Sequence, residues 1–184
     1  MDSVPPPDPP KPPPVVHDFD ECLERSHSYA DAAWWMEVYR KAFPNLAAAV
    51  NVRGYGWAQQ GGIDRVLTLY SGKTLDVDEK VREKDYGDIL LERFSDMKRK
   101  TPGWMQKTLA CDYIAYAIAP RKTCYLLPFQ TLRRAWLENG QEWVRKYPRI
   151  EALNHGYITL SVGVPTDVLL RALTDAMTVH WKPT

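Results

Sequence analysis

The stretch that decides the fold is 61–82, which has the sequence GGIDRVLTLYSGKTLDVDEKVR. Apolar and polar residues alternate over 63–69 and again over 74–81, and this spacing predicts two β-strands. Residues 70–72 separate the two strands and are few enough to form a hairpin loop. A three-residue hairpin loop needs a left-handed residue at its last position, and Gly72 supplies one. The stretch therefore predicts an antiparallel hairpin.

The length of the loop determines which charged side chains meet. With a three-residue loop, Asp64 lies across from Asp78. Cross-strand partners project to the same side, about 4.5–5.5 Å apart at Cβ, and Lys80 lies on that side because strand side chains alternate. A two-residue loop would instead place Asp64 opposite Glu79. The three-residue register predicts a cluster of Asp64, Asp78 and Lys80.

Such a cluster has a recognisable chemistry. Two carboxylates held this close repel each other unless a cation lies between them. Their oxygens suit Mg²⁺ or Mn²⁺, which can lower the pKa of a bound water and stabilise charge on a phosphate. A nearby lysine can orient that water or neutralise the developing charge. We therefore predict that Asp64 and Asp78 bind the metal and that Lys80 assists the attacking water; the alternative is a hairpin whose outer face is merely charged.

At these residues the chain resembles the PD-(D/E)XK nuclease superfamily. Asp64 matches the first aspartate of the family pattern and Asp78-Glu79-Lys80 matches its D-X-K half, fourteen residues later, while Ile63 occupies the position of the proline. The resemblance implies a restriction-endonuclease-like α/β fold, a divalent metal and cleavage of phosphodiester bonds in DNA. The stretch 87–92 and the tryptophan-rich middle of the chain also resemble bacteriophage or prophage proteins.

A third acidic residue often completes the metal site in this superfamily. Glu37 is the candidate, because it lies late in a predicted helix that precedes the hairpin, although it could equally face solvent. Glu92 is the alternative. It either reaches the site from a neighbouring strand or pairs with a basic residue.

The elements around the hairpin indicate the fold class. The predicted order is helix, several hairpin strands, helix, strand and helix, which fits a mixed central β-sheet flanked by helices. Apart from the hairpin, the predicted elements are a helix over 18–43, strands over 88–94, 112–119, 124–129 and 157–164, a helix over 130–147 that is continuous or broken near Asn139-Gly140, and a last helix capped by Thr166.

The N-terminus has a different composition from the rest. Eight of the first 14 residues are proline, which predicts an exposed, extended tail over 1–16 and a single domain over 17–184. Three cysteines without CxxC spacing indicate reduced thiols rather than a disulfide framework. No stretch approaches the roughly 18 apolar residues of a membrane helix. We therefore expect a cytoplasmic protein without a membrane segment.

Charge is distributed unevenly along the chain. Residues 1–97 carry 11 basic and 17 acidic side chains, whereas 98–149 carry 11 basic and 3 acidic ones. An acidic region can hold a cation while a basic region attracts a phosphate backbone, although basic residues can also simply solvate helix faces. Trp136 and Trp143 are seven residues apart, which is core spacing. The candidate DNA contacts are Lys98, Arg99, Lys100, Lys107, Arg133 and Arg134.

The main hypothesis from sequence is a Mg²⁺-dependent endonuclease acting on DNA. One alternative is a structure-specific nuclease for DNA junctions, a class that usually works as a homodimer. The other is a binding or assembly protein that retains the nuclease fold without cleaving anything.

Overall fold

The computed structural model describes residues 29, 32–173 and 177–182. The predicted tail over 1–16 and the first part of the predicted helix over 18–43 lie outside the described residues. The described part contains four α-helices and ten strands. In chain order they are α1 Trp34–Ala42, β1 Leu46–Asn51, α2 Gly56–Gly61, β2 Arg65–Leu69, β3 Thr74–Arg82, β4 Asp88–Asp96, β5 Thr101–Pro102, β6 Tyr113–Ile118, β7 Thr123–Pro128, α3 Phe129–Lys146, β8 Arg149–Asn154, β9 Tyr157–Pro165, α4 Thr166–Ala172 and β10 Met177–His180.

Six strands form a mixed sheet in the order β1-β2-β3-β6-β7-β10. Strand β3 pairs with β6 in parallel, and the other neighbours pair antiparallel. Helix α1 covers one face of this sheet, because its residues Trp35, Val38 and Tyr39 are buried against Leu67 and Val77. The coarse prediction of an α/β protein with a mixed sheet and flanking helices is thus confirmed.

A second, antiparallel sheet has the order β5-β4-β9-β8. The largest core lies between the two sheets and helices α3 and α4, and it removes long apolar side chains from water, which is the main stabilising term in such a fold. Its buried members include Ile89, Leu91, Ile114, Leu127, Phe129 and Val162.

The second sheet was not predicted from the sequence. Strand β4 cannot pair with the free side of β3, because β6 already occupies that edge. After β3 the chain passes Gly87, which has a φ of +74°, and enters the second sheet. Leu90 N then donates to the Tyr116 hydroxyl at 3.1 Å, which fixes β4 over the face of β6.

Helix α3 is continuous through Asn139 and Gly140. A Cβ added at Gly140 would come within 2.9 Å of the Trp136 ring, so the glycine allows that ring to lie flat on the helix. Trp143 is buried beside it, with ring centroids 6.4 Å apart. Trp143 therefore belongs to the core, and Trp136 is partly buried against it, which confirms the packing role predicted for both.

Thr166 begins α4 but does not cap it. Pro165 occupies the N-cap position, and the Thr166 hydroxyl donates to Gly87 O at 3.2 Å. This bond ties α4 to the crossing between the sheets, and it replaces the capping role predicted from sequence. Cys111 and Cys124 are free and buried, as predicted. Among the described residues, no helix has the length and apolar character needed to cross a bilayer.

Candidate active site

The β2–β3 hairpin has the register predicted from its loop length. Leu69 N donates to Lys73 O at 2.9 Å, and Gly72 adopts the left-handed conformation with a φ of +82°. The ladder that follows pairs Arg65 with Val77. This confirms the three-residue loop, and it directs Asp64 to the part of β3 that carries Asp78.

Asp64 lies one residue before β2, and its backbone and side chain both bind β3. Its N–H donates to Val77 O at 2.8 Å, and its Oδ2 accepts a bond from Glu79 N at 2.8 Å. The carboxylate thus accepts the hydrogen bond from β3 that a backbone carbonyl of the neighbouring strand would otherwise accept. Hydrogen bonds from Glu79 N and Arg53 Nε therefore hold this carboxylate against β3.

Asp78 and Lys80 form a close ion pair on the same face of β3. Lys80 Nζ lies 2.5 Å from Asp78 Oδ1, and only 4% of Asp78 is exposed. Burial is the largest cause that raises the pKa of Asp78 to about 6. The charge of Lys80 lowers this pKa, whereas the charge of Asp64 and the hydrogen bond between the two aspartates raise it. Asp64, Asp78 and Lys80 therefore come together, as the register predicted.

Lys80 remains a cation in this environment. Burial alone would lower its pKa, but the carboxylates of Asp78, Asp64 and Glu92 outweigh burial and raise the pKa above its ordinary value. A lysine in this state donates hydrogen bonds and neutralises negative charge, and it is poorly suited to act as a base.

Arg53 joins the cluster and was not predicted. Its Nε lies 2.9 Å from Asp64 Oδ1, and one of its terminal nitrogens lies 3.5 Å from Glu79 Oε2. Burial raises the pKa of Asp64, but Arg53 and Glu79 N–H outweigh burial and lower it. Arg53 is the only basic residue between Lys41 and Arg65, and this isolation was the available signal.

Glu79, the middle residue of the D-X-K match, faces the other side of β3. Its Oε1 accepts hydrogen bonds from the Tyr39 hydroxyl at 2.7 Å and from Arg65 Nε at 2.6 Å, under helix α1. Burial raises its pKa, although Arg65 and Tyr39 oppose the shift. Glu79 therefore anchors the hairpin to α1 on one face of β3. Its neighbours Asp78 and Lys80 form the candidate site on the opposite face.

Glu92 approaches the site from β4. Its carboxylate raises the pKa of Lys80, and its Oε1 accepts a bond from Trp104 N at 3.2 Å. Gly103 allows the 103–104 backbone to approach Glu92 this closely, since a Cβ at Gly103 would lie 2.4 Å from Glu92 O. Of the two acidic residues considered as a third ligand, the one beside Lys80 is Glu92.

Glu37 was the wrong candidate. It lies on α1, where it pairs with Lys41 at 2.9 Å and accepts a bond from Lys182 N, just after β10. Strand β10 is three neighbours away from β3, a separation of about 14 Å. Helix α1 also covers the face opposite to Lys80. Glu37 therefore acts as a surface ion-pair partner at the far edge of the sheet.

The donor set suits a cation that keeps most of its waters. Within the described ranges, no group of three or more His, Cys, Asp or Glu residues is arranged around one point. Mg²⁺ needs only one or two carboxylates besides water and substrate phosphate, which Asp64 and Asp78 provide. Burial is the largest cause that raises the pKa of the Cys111 thiol to about 12, and the charge of Asp78 adds to this shift. A protonated thiol is not a metal ligand.

The predicted DNA contacts fall into two groups. Lys98, Arg99 and Lys100 are exposed in the β4–β5 turn, about 20 Å along β4 from Glu92. Trp104, which follows this turn in the sequence, is only 9% exposed and belongs to the core. The basic turn is thus exposed and could contact phosphates, but Trp104 is too buried to stack on a base beside it.

The second group lies nearer to the hairpin. Arg133 on α3 donates to Lys107 O at 3.2 Å. The segment after Lys107 reaches α2, since Ala110 N donates to Gly61 O at 2.8 Å. Arg134 is exposed on the next position of α3. Lys107 and Arg133 therefore border the region between α2 and the hairpin.

Comparison of the chain with protein-family models, curated proteins and solved structures found no match.

Proposed function

We propose that the protein is a Mg²⁺-dependent endonuclease that hydrolyses phosphodiester bonds in DNA. The observation that carries the proposal is the arrangement of Asp64, Asp78 and Lys80 on one hairpin, with Asp78 buried and its pKa raised to about 6. Burial is the largest cause of this raised pKa and the charge of Asp64 adds to it, and a bound cation would favour the charged form of Asp78 against both. We include membership of the PD-(D/E)XK superfamily and its restriction-endonuclease-like fold in the proposal. The mixed sheet with α1 on one face supports membership, whereas the second sheet does not.

Each residue has a distinct part in the proposed reaction. Asp64 and Asp78 would hold the cation, which supplies an activated water and stabilises charge on the phosphate. A carboxylate offers about four acceptor positions, and Arg53 and Glu79 N each take one of those of Asp64. A cation between Asp64 and Asp78 would replace the hydrogen bond between these two carboxyl groups. Lys80, held as a cation, would orient the attacking water and neutralise charge that develops on the phosphate.

One observation favours a non-catalytic binding or assembly protein instead. The three carboxylates of Asp64, Asp78 and Glu79 already face cationic partners in Arg53, Lys80 and Arg65. A charge-balanced network of this kind can stabilise a hairpin without any metal. Cleavage assays separate the two candidates.

The direct test is to incubate the purified protein with supercoiled plasmid and with branched DNA, in Mg²⁺, in Mn²⁺ and in EDTA. The proposal predicts nicked or linear plasmid with either cation and intact plasmid in EDTA. Cleavage restricted to branched DNA would support the junction-specific alternative, for which a homodimer is expected. Intact DNA under every condition would favour the non-catalytic alternative.

The basic turn gives a second prediction. If Lys98, Arg99 and Lys100 contact phosphates, changing all three to alanine should weaken DNA binding and reduce the salt slope by up to about 0.9 per lost contact. The loss should be similar for unrelated sequences, because phosphate contacts carry no base information. Fluorescence anisotropy in Ca²⁺, chosen to permit binding without cleavage, measures both quantities.

The matched control for the turn is Lys146→Ala together with Arg145→Ala, at the far end of α3. Both residues are exposed cations from the same basic region. Equal affinity and salt slope for the turn variant and wild type would place the phosphate contacts at Lys107, Arg133 and Arg134 instead.

A further inference from the structure

Two large aromatic side chains are exposed immediately before the hairpin. Tyr55 and Trp57 are each 58% exposed, although tryptophan is among the side chains that gain most from burial. They lie at the start of α2, and the glycines beside them, Gly54 and Gly56, have open space around them. We call these two side chains the aromatic surface, and both are open to a ligand.

This surface is held rigidly next to the candidate metal ligands. Val52 N donates to Asp64 O at 2.9 Å, and Ile63 N donates to Ala58 O at 2.8 Å, so both ends of the α2 segment are tied to the residue pair 63–64. Ala58 is buried in a small core below the helix. Tyr55 is only two residues from Arg53, a span of at most about 7 Å, and Arg53 binds Asp64 directly.

The charge beside the surface is complementary to a nucleic-acid backbone. Gly61 at the end of α2 accepts the bond from Ala110 N, and the exposed Lys107 lies three residues before Ala110. Arg133 donates to Lys107 O. Exposed aromatic rings next to cations are the combination by which proteins hold unpaired nucleotides, with rings stacked on bases and cations placed on phosphates.

We propose that Tyr55 and Trp57 stack on unpaired bases, so that the substrate of this site has single-stranded or unstacked nucleotides next to the cleaved bond. The inference rests on the proposed nuclease function and adds its substrate class. Bases inside a duplex are already stacked on each other and cannot stack on a side chain without being extruded. Duplex DNA is therefore a poor ligand for this surface, and a strand with free bases is a good one.

The test measures binding by fluorescence anisotropy in EDTA, where no metal-dependent cleavage occurs. The probes are a short oligothymidylate, a strand of the same length made of abasic sugar-phosphates, and a duplex. Wild type should prefer oligothymidylate over both other probes. Trp57→Ala should weaken oligothymidylate binding about 5- to 150-fold, the factor for one stacked base, and leave abasic-strand binding unchanged. Trp57→Phe should retain most of the affinity.

Tyr70→Ala is the matched control. Tyr70 is 81% exposed, but it lies in the β2–β3 turn, about 20 Å along the strand from Asp64, and its loss should not change binding.

Equal affinity of wild type for the oligothymidylate and the abasic strand would overturn the inference. So would a Trp57→Ala effect confined to self-association, measured by analytical ultracentrifugation, because the surface would then bind a second copy. Base-dependent binding together with intact plasmid, intact branched DNA and intact oligothymidylate in Mg²⁺ would overturn the nuclease function while supporting the stacking surface.

Discussion

Asp78→Asn should reduce Mg²⁺-dependent DNA cleavage by at least about 10²–10³-fold, the usual cost of losing one electrostatic contact to the transition state. The amide keeps the size of the side chain but removes the charge that a cation requires. Folding should survive, because the partner left behind, Lys80, is partly exposed and still faces Asp64 and Glu92. Plasmid nicking measures the activity, and circular dichroism during thermal unfolding measures the fold.

Asp76→Asn is the matched control for this variant. Asp76 is two residues earlier on the same face of β3, but its neighbour is Asp112 rather than the cluster, since Asp76 N donates to Asp112 Oδ2 at 2.8 Å. Its cleavage rate should stay near that of wild type. Equal nicking by Asp78→Asn and wild type would show that the activity resides elsewhere.

The largest stability effect is expected on the opposite face of β3. Glu79→Leu should lower the free energy of unfolding by about 3–5 kcal/mol, because it leaves the Arg65 charge buried without its partner. The Tyr39 hydroxyl loses its acceptor as well. Urea unfolding of the purified variant measures the change.

Changing both members of the pair should recover much of this loss. In Glu79→Leu with Arg65→Leu, no uncompensated charge remains, and apolar residues of similar volume can replace a buried ion pair at little cost. Glu142→Leu, on the exposed face of α3, should hardly change stability. A double variant as unstable as Glu79→Leu alone would contradict the claim that the unpaired Arg65 charge causes the loss of stability.

Alternation and turn chemistry were sufficient to predict the hairpin. The loop length and Gly72 fix the register, and the register brings Asp64 to Asp78 and Lys80 without knowledge of the rest of the fold. These are local properties, set by residues close in sequence. The prediction of a mixed sheet with flanking helices holds for the same reason, because it depends on the order of elements.

Long-range partners could not be predicted in this way. Whether Glu37 or Glu92 lies near Lys80 depends on how β4 crosses to the second sheet and on which face α1 covers. The roles of Arg53 and of the exposed Trp57 depend on α2, a six-residue helix inside a glycine-rich passage. Glycine disfavours helices locally, so α2 forms because tertiary contacts of Ala58 and Gly61 hold it.

The central claim is that Asp64 and Asp78 together hold a divalent cation, and Mn²⁺ binding followed by electron paramagnetic resonance tests it most directly. We expect saturable binding to wild type that weakens as the pH falls through about 6, where Asp78 takes up a proton. Asp64→Asn and Asp78→Asn should each weaken binding at least about tenfold, or about 1.4 kcal/mol, while Asp76→Asn should bind as wild type does. Absence of saturable binding to wild type, or equal binding by all four proteins, would contradict the account.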